Sequence, residues 1–131
     1  MDSHASACEA VRPANGHYLV HLREGLENPS DRTTWINCPA TAELFPFAAD
    51  HLFTAMVYNI SNRPIKMSCI LRFLDLNSGF RNISRTVTIA GNDVEALFWE
   101  LSSRWLMMPN INCKLPPGGA IAGITAMTGL L

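Results

Sequence analysis

Two histidines four residues apart, His17 and His21, fall on one face of either a helix or a strand, the minimum arrangement for two ligands of a metal ion. A third ligand such as His51, Glu24 or Asp50 would have to be supplied by the fold. Exposed histidines on an edge strand are the plainer reading, and no cofactor is expected. Trp35, Trp99 and Trp105, with Tyr58, could form an aromatic platform that stacks on sugar rings while Asn or Asp side chains bond the hydroxyls. Packing in the core is the commoner fate of tryptophan in a small domain. Arg72, Arg81 and Arg85 fall on neighbouring strands and could make a basic patch for an anion, or a solvated face balanced by Asp75 and Glu95. Nucleophilic catalysis finds no support: there is no G-x-S-x-G elbow and no cysteine at a helix start beside a histidine. Glu95 and Glu100 are five apart and point to different faces of either element, so no enzyme is expected.

Four cysteines, Cys8, Cys38, Cys69 and Cys113, are spread through the 131 residues with no C-x-x-C pair of the kind a zinc knuckle uses. Each sits in an apolar or strand-like setting, where a partner on a neighbouring strand can lie within bonding distance. Disulfides, and with them an oxidising, secreted context, are the expectation. Four cysteines allow three pairings. The preferred one joins Cys8 to Cys38 and Cys69 to Cys113, tying the N-terminal tail to an early strand and a central strand to a late one.

The elements that must position these groups read as short strands. Residues 1–16 are small and polar, with Pro13 and Gly16, and read as an extended arm anchored by Cys8; 17–131 read as a single domain. Strands are expected around Tyr18 to Leu22, over Thr33 to Cys38, and over Leu52 to Tyr58, where Phe53, Ala55 and Val57 share a face. The segment Arg23 to Arg32 reads as a loop. Met67, Cys69, Leu71 and Phe73 alternate as in a central strand, and Asp75 to Gly79 as a turn. The next strand, Phe80 to Ile89, has its apolar end inside and its arginines at the rim. From 94 to 108 two periods compete: Leu97, Leu101 and Trp105 recur every four residues, yet Leu97, Trp99 and Leu101 alternate; a strand is expected. Ile111 to Leu115 and Ala120 to Thr128 complete an all-β, antiparallel, disulfide-stapled β-sandwich, Ig-like or jelly-roll. No internal repeat is read from the sequence.

Asn37-Cys38-Pro39, Met67-Ser68-Cys69-Ile70-Leu71 and Cys113-Lys114-Leu115-Pro116-Pro117-Gly118, with the early Cys8, resemble a group of uncharacterised secreted bacterial β-sandwich proteins. The resemblance spans most of the chain and implies secretion and this fold. That group has no assigned activity, so it implies no site, and the stretches 23–32 and 97–108 have no counterpart in it.

Charged residues make up 16% of the chain, against a usual value of about 25%, and the net charge is -1. A surface this poor in charge argues against nucleic acid as a partner and is compatible with self-association. No apolar run reaches the ~20 residues of a membrane-spanning helix. The N-terminus lacks the basic and apolar regions of a signal peptide, so a secreted protein would have lost its signal. Asn59-Ile60-Ser61 and Asn82-Ile83-Ser84 match glycosylation acceptors. The uncharged run Gly118 to Leu131 reads either as an adhesive edge open to strand addition between copies or as a last strand that completes the sandwich. These features together point to a secreted, non-catalytic structural or binding module that self-assembles or attaches to a surface. Carbohydrate binding through surface tryptophans is the alternative, and a metal-dependent enzyme a remote third.

Overall fold

Strict alternation of apolar and polar residues puts every second side chain on one side of a strand, and the long segments of this chain obey it closely enough to make two layers. The computed structural model describes residues 2–4, 8–12, 19–21, 25–40, 50–75, 78–102 and 106–129. Among these residues eleven strands are formed: β1 (Asp2–His4), β2 (Glu9–Arg12), β3 (Val20–His21), β4 (Leu26–Glu27), β5 (Thr34–Pro39), β6 (Asp50–Asn59), β7 (Ile65–Asp75), β8 (Gly79–Ile89), β9 (Val94–Ser102), β10 (Leu106–Leu115) and β11 (Gly119–Gly129). The first sheet has the order β3-β4-β11-β6-β9, with β1 also paired to β11, and the second the order β2-β5-β10-β7-β8; all pairs are antiparallel. From β4 onward each connection crosses to the other sheet except the β7–β8 hairpin, the alternation of a jelly roll rather than of an Ig domain.

The inner faces are those the alternation marked. Phe53, Ala55 and Val57 of β6 and Leu97 and Trp99 of β9 meet Met67, Cys69, Leu71 and Phe73 of β7 and Ile111, Cys113 and Leu115 of β10. Residues 94–102 are strand, not helix, and β9 pairs with β6 over its whole length. Both layers are also tied by polar bonds along one edge. The Trp99 indole N–H donates to the Ile83 carbonyl of β8 at 2.8 Å, and Arg85 Nε donates to the Phe98 carbonyl of β9 at 3.2 Å.

The disulfides are Cys8–Cys38 and Cys69–Cys113. Cys69 and Cys113 are direct register partners between β7 and β10, and Cys8 leads into β2, whose Glu9 pairs with Asn37. Both bonds therefore lie within the second sheet and fix its register.

Three expectations are corrected. The segment 23–32 is not all loop, because Leu26 and Glu27 pair with Ile121 and Ala120 of β11. The last strand is no open edge: β11 is hydrogen-bonded to β6 on one side and to β4 and β1 on the other. The chain also contains a repeat. Asn28-Pro-Ser-Asp-Arg32 and Asn59-Ile-Ser-Asn-Arg63 share N-x-S-x-R at an offset of 31 residues, and each is followed six residues later by a cysteine.

The two copies have the same structure. Asn28 Nδ2 donates to the carbonyls of Arg32, Leu115 and Pro116, and Asn59 Nδ2 to those of Arg63, Ile89 and Ala90. Each Oδ1 accepts from the backbone N–H and hydroxyl of the serine two residues on. These loops arch from the first sheet to the second, and each asparagine locks its arch to the neighbouring one, 116–118 or 90–93. The neighbours match too: Gly119 N–H bonds the Pro116 carbonyl and Asp93 N–H the Ala90 carbonyl, with Gly118 at φ +84° and Asn92 at φ +57°. All four arches therefore line one end of the sandwich. A side chain at Gly118 would be strained by that φ and would meet Ser61 Cβ at 2.9 Å.

Candidate functional site

The outward residues of β5, β10, β7 and β8 form a four-strand-wide surface, about 14 Å across at ~4.8 Å per strand. Its rows follow from the register. Trp35, Lys114, Ser68 and Thr86 make one; Asn37, Asn112, Ile70 and Ser84 the next; Pro39, Asn110, Arg72 and Asn82 the third; Met107, Leu74 and Phe80 the last. From the first row to the last is about 20 Å along the strands at ~3.3 Å per residue.

Chemically this surface is a sheet of amides and hydroxyls with apolar ends. Asn112 Nδ2 donates to Asn110 Oδ1 at 3.3 Å, and the Ser68 and Thr86 hydroxyls share a bond of 2.8 Å. Each such group keeps further donor and acceptor capacity for a ligand, since a primary amide has two N–H bonds and two lone pairs. Phe80 is 57% exposed, and the Arg72 guanidinium lies 4.9 Å from its ring centroid. That contact holds the guanidinium fork in place while leaving most of the ring uncovered. Trp35, half-buried, closes the opposite corner beside Lys114.

The outer face of the first sheet differs. Val94, Phe98 and Met127 are exposed there, with Met56 beside them, and no lysine or arginine occurs on any strand of that sheet. Among the described residues, clefts lie at both ends of the sandwich. One, about 560 Å³, runs between the two N-x-S-x-R arches and is lined by Pro29, Ser30, Ile60, Ser61, Arg63 and Pro117 among others. The other, about 620 Å³, is lined by Asp50, His51, Leu52, Glu100, Leu101, Ser102 and Met127; there the Ser102 hydroxyl donates to Asp50 Oδ1 at 3.1 Å.

Of the aromatic residues singled out from the sequence, Trp35, Trp99 and Tyr58 do not come together. Trp99 is fully buried between the layers, Tyr58 stands on the outer side of the first sheet with its hydroxyl donating to Glu27 Oε2 at 2.9 Å, and Trp35 alone belongs to the second sheet's outer face. Trp105 lies outside the described residues, as do His17, Glu24 and the side chain of His21. His51 is buried, its ring stacked against Phe53 with centroids 6.5 Å apart. Among the described residues no three His, Cys, Asp or Glu side chains are placed to hold a metal ion. The three arginines also part company: Arg72 faces outward, whereas Arg81 reaches over the Phe73 ring, 5.9 Å away, and Arg85 bonds to β9. Sequence reasoning missed Phe80, Asn82, Asn110 and Asn112; the available signal was the run of Asn, Ser and Thr at alternate positions of 82–88 and 110–112.

No protein-family model matches this chain, and no curated protein matches it. Solved structures do. The N-terminal CBM22-1 and GH10 modules of endo-1,4-β-D-xylanase 10B from Clostridium thermocellum, complexed with xylohexaose, superpose with a TM-score of 0.64 at 7% identity over 97% of this chain. The present chain spans 27% of that one. CBM35 from Paenibacillus barcinonensis gives a TM-score of 0.57 at 8% identity, covering 98% of this chain and 99% of the other. The CBM36-1 domain of a multidomain xylanase from the hindgut metagenome of Trinervitermes trinervoides gives 0.56 at 8% identity, covering 100% and 98%. At such identities the likeness shows the fold: a β-sandwich of the kind found in carbohydrate-binding modules.

Proposed function

We propose that this protein is a secreted, non-catalytic carbohydrate-binding module that holds a polysaccharide across the outer face of the second sheet. The observation that carries this reading is the amide and hydroxyl surface of β5, β10, β7 and β8 with the exposed Phe80 ring at its end. A sugar ring has an equatorial belt of hydroxyls and an apolar face. The asparagines and serines suit the belt, and Phe80 and Trp35 suit the apolar face. Solved neighbours that are carbohydrate-binding modules support the reading at the level of fold, and the two disulfides suit an extracellular setting. Self-assembly through the C-terminal strand has lost its structural basis, because β11 is paired on both sides.

A glycan microarray followed by calorimetry tests the proposal. Phe80→Ala and Asn112→Ala should each weaken binding about tenfold, roughly 1.4 kcal/mol, with the melting temperature unchanged. Binding that neither substitution alters would remove this face as the site.

A further inference from the structure

Resting on that reading, we infer that the polysaccharide bound by the second sheet is anionic, carrying carboxylate or sulfate groups along its length. The chain as a whole has 11 acidic and 10 basic residues, yet those on the strands are sorted between the two layers. Strands of the first sheet contain Asp2, Asp50, Glu27, Glu95 and Glu100 and neither lysine nor arginine. Strands of the second contain six basic residues against two acidic ones, Glu9 and Asp75. Asp75 is buried at the inner end of β7, and Glu9 shares β2 with Arg12. Among the described side chains of β5, β7, β8 and β10, the outer face carries Lys66, Arg72 and Lys114 and no carboxylate.

The spacing of these cations selects a polymer over a small anion. Lys114 pairs with Ser68, four residues along β7 from Arg72, which places the two about 13 Å apart at ~3.3 Å per residue. Lys66 and Arg72 are six residues apart, about 20 Å. Lys66 and Lys114 are diagonal neighbours about 8 Å apart, whereas Arg72 stands beyond the ~8 Å screening length from both and acts alone. The lysine pair and Arg72 form two separate positive centres, spaced to meet successive charges on an extended chain rather than a single small anion. Arg72, steadied over Phe80, offers the planar fork that takes a carboxylate or sulfate through two parallel N–H bonds. Nucleic acid fits less well: three cations neutralise few phosphates, and the asparagine rows match hydroxyls rather than stacked bases.

Affinity electrophoresis and calorimetry of the full chain would use polygalacturonate, chondroitin sulfate, unsubstituted xylan and single-stranded DNA. The expected result is binding to one or both anionic glycans, weakened about tenfold between low and high salt. Combining Arg72→Gln with Lys114→Gln should cost about tenfold in affinity, the scale of two exposed ion pairs, while Glu95→Gln on the first sheet should leave affinity unchanged. Polygalacturonate carries carboxylate alone and chondroitin sulfate carries both groups, so binding to polygalacturonate assigns carboxylate and binding to chondroitin sulfate alone assigns sulfate. Binding to xylan alone, insensitive to salt, would overturn the anionic ligand and leave the module reading standing. DNA bound as tightly as either glycan would also overturn it, as would binding to none of the four, and the glycan microarray then decides the module reading separately.

Discussion

At the scale of single residues, the most consequential side chains are two asparagines that look like ordinary turn residues. Asn28 and Asn59 are buried, and each saturates its amide against carbonyls of two different arches. Replacing Asn59 by Ala removes the side-chain donor from the Arg63, Ile89 and Ala90 carbonyls, of which Ala90 keeps the Asp93 N–H. The expected loss is about 2 to 4 kcal/mol, from several buried bonds at roughly 1 kcal/mol each plus unsatisfied acceptors, read from the midpoint of urea unfolding. The same geometry separates the two glycosylation acceptors. Asn59 Nδ2 is committed to three carbonyls, whereas Asn82 is exposed on β8. Secretion from a eukaryotic host should therefore glycosylate Asn82 and leave Asn59 bare, which peptide mass analysis checks; a modified Asn59 would contradict the buried arch. Nothing in an isolated N-I-S triplet tells these positions apart, because the difference lies in which distant carbonyls surround each amide.

At the scale of elements, the strands with a buried face were legible and the short ones were not. Met67, Cys69, Leu71 and Phe73 announced β7 by alternation, and all four are buried. For 94–102 the four-residue recurrence of Leu97 and Leu101 competed with strand alternation, and pairing along the whole of β6 decides the matter. Leu26–Glu27 had no periodic signal, since two residues are too few to show a period; their strand exists because β11 is already there to receive it. The preferred cysteine pairing is the one formed, and it makes a prediction for the second sheet. Replacing Cys69 and Cys113 together by Ala removes a cross-link over 44 residues and should cost about 4 kcal/mol in the chain-entropy estimate. Thermal unfolding measures this, and a change below ~1 kcal/mol would mean that strand pairing alone fixes the β7–β10 register.

At the scale of the whole molecule, two sheets that share Trp99, Phe53, Phe73 and Ile111 as one core should unfold as one unit. Tryptophan fluorescence and far-ultraviolet circular dichroism should give coincident urea transitions, and separated transitions would show that the layers are independent. Layer-wide properties were the least legible in the sequence. Asn37, Asn82, Asn110 and Asn112 come from three strands far apart in the chain, and only register sets them side by side. The near-zero net charge likewise concealed a basic layer and an acidic one, because a sum over the chain carries no information about position.

The doubled arch has one more consequence. Arches 28–33 and 116–118 form one locked pair, 60–64 and 90–93 a second, and Ile60 N–H joins them through the Gly118 carbonyl. Each pair brings its own two strands per sheet and its own asparagine clasp, like a course of brickwork laid beside another. An architecture that carries its mortar within each course can be widened: a third strand-pair unit with the same N-x-S-x-R clasp, spliced in beside β8 and β9, has its joint already specified. Four strands of each sheet are thus two clasped units laid side by side, and a third unit would add two more strands to each layer.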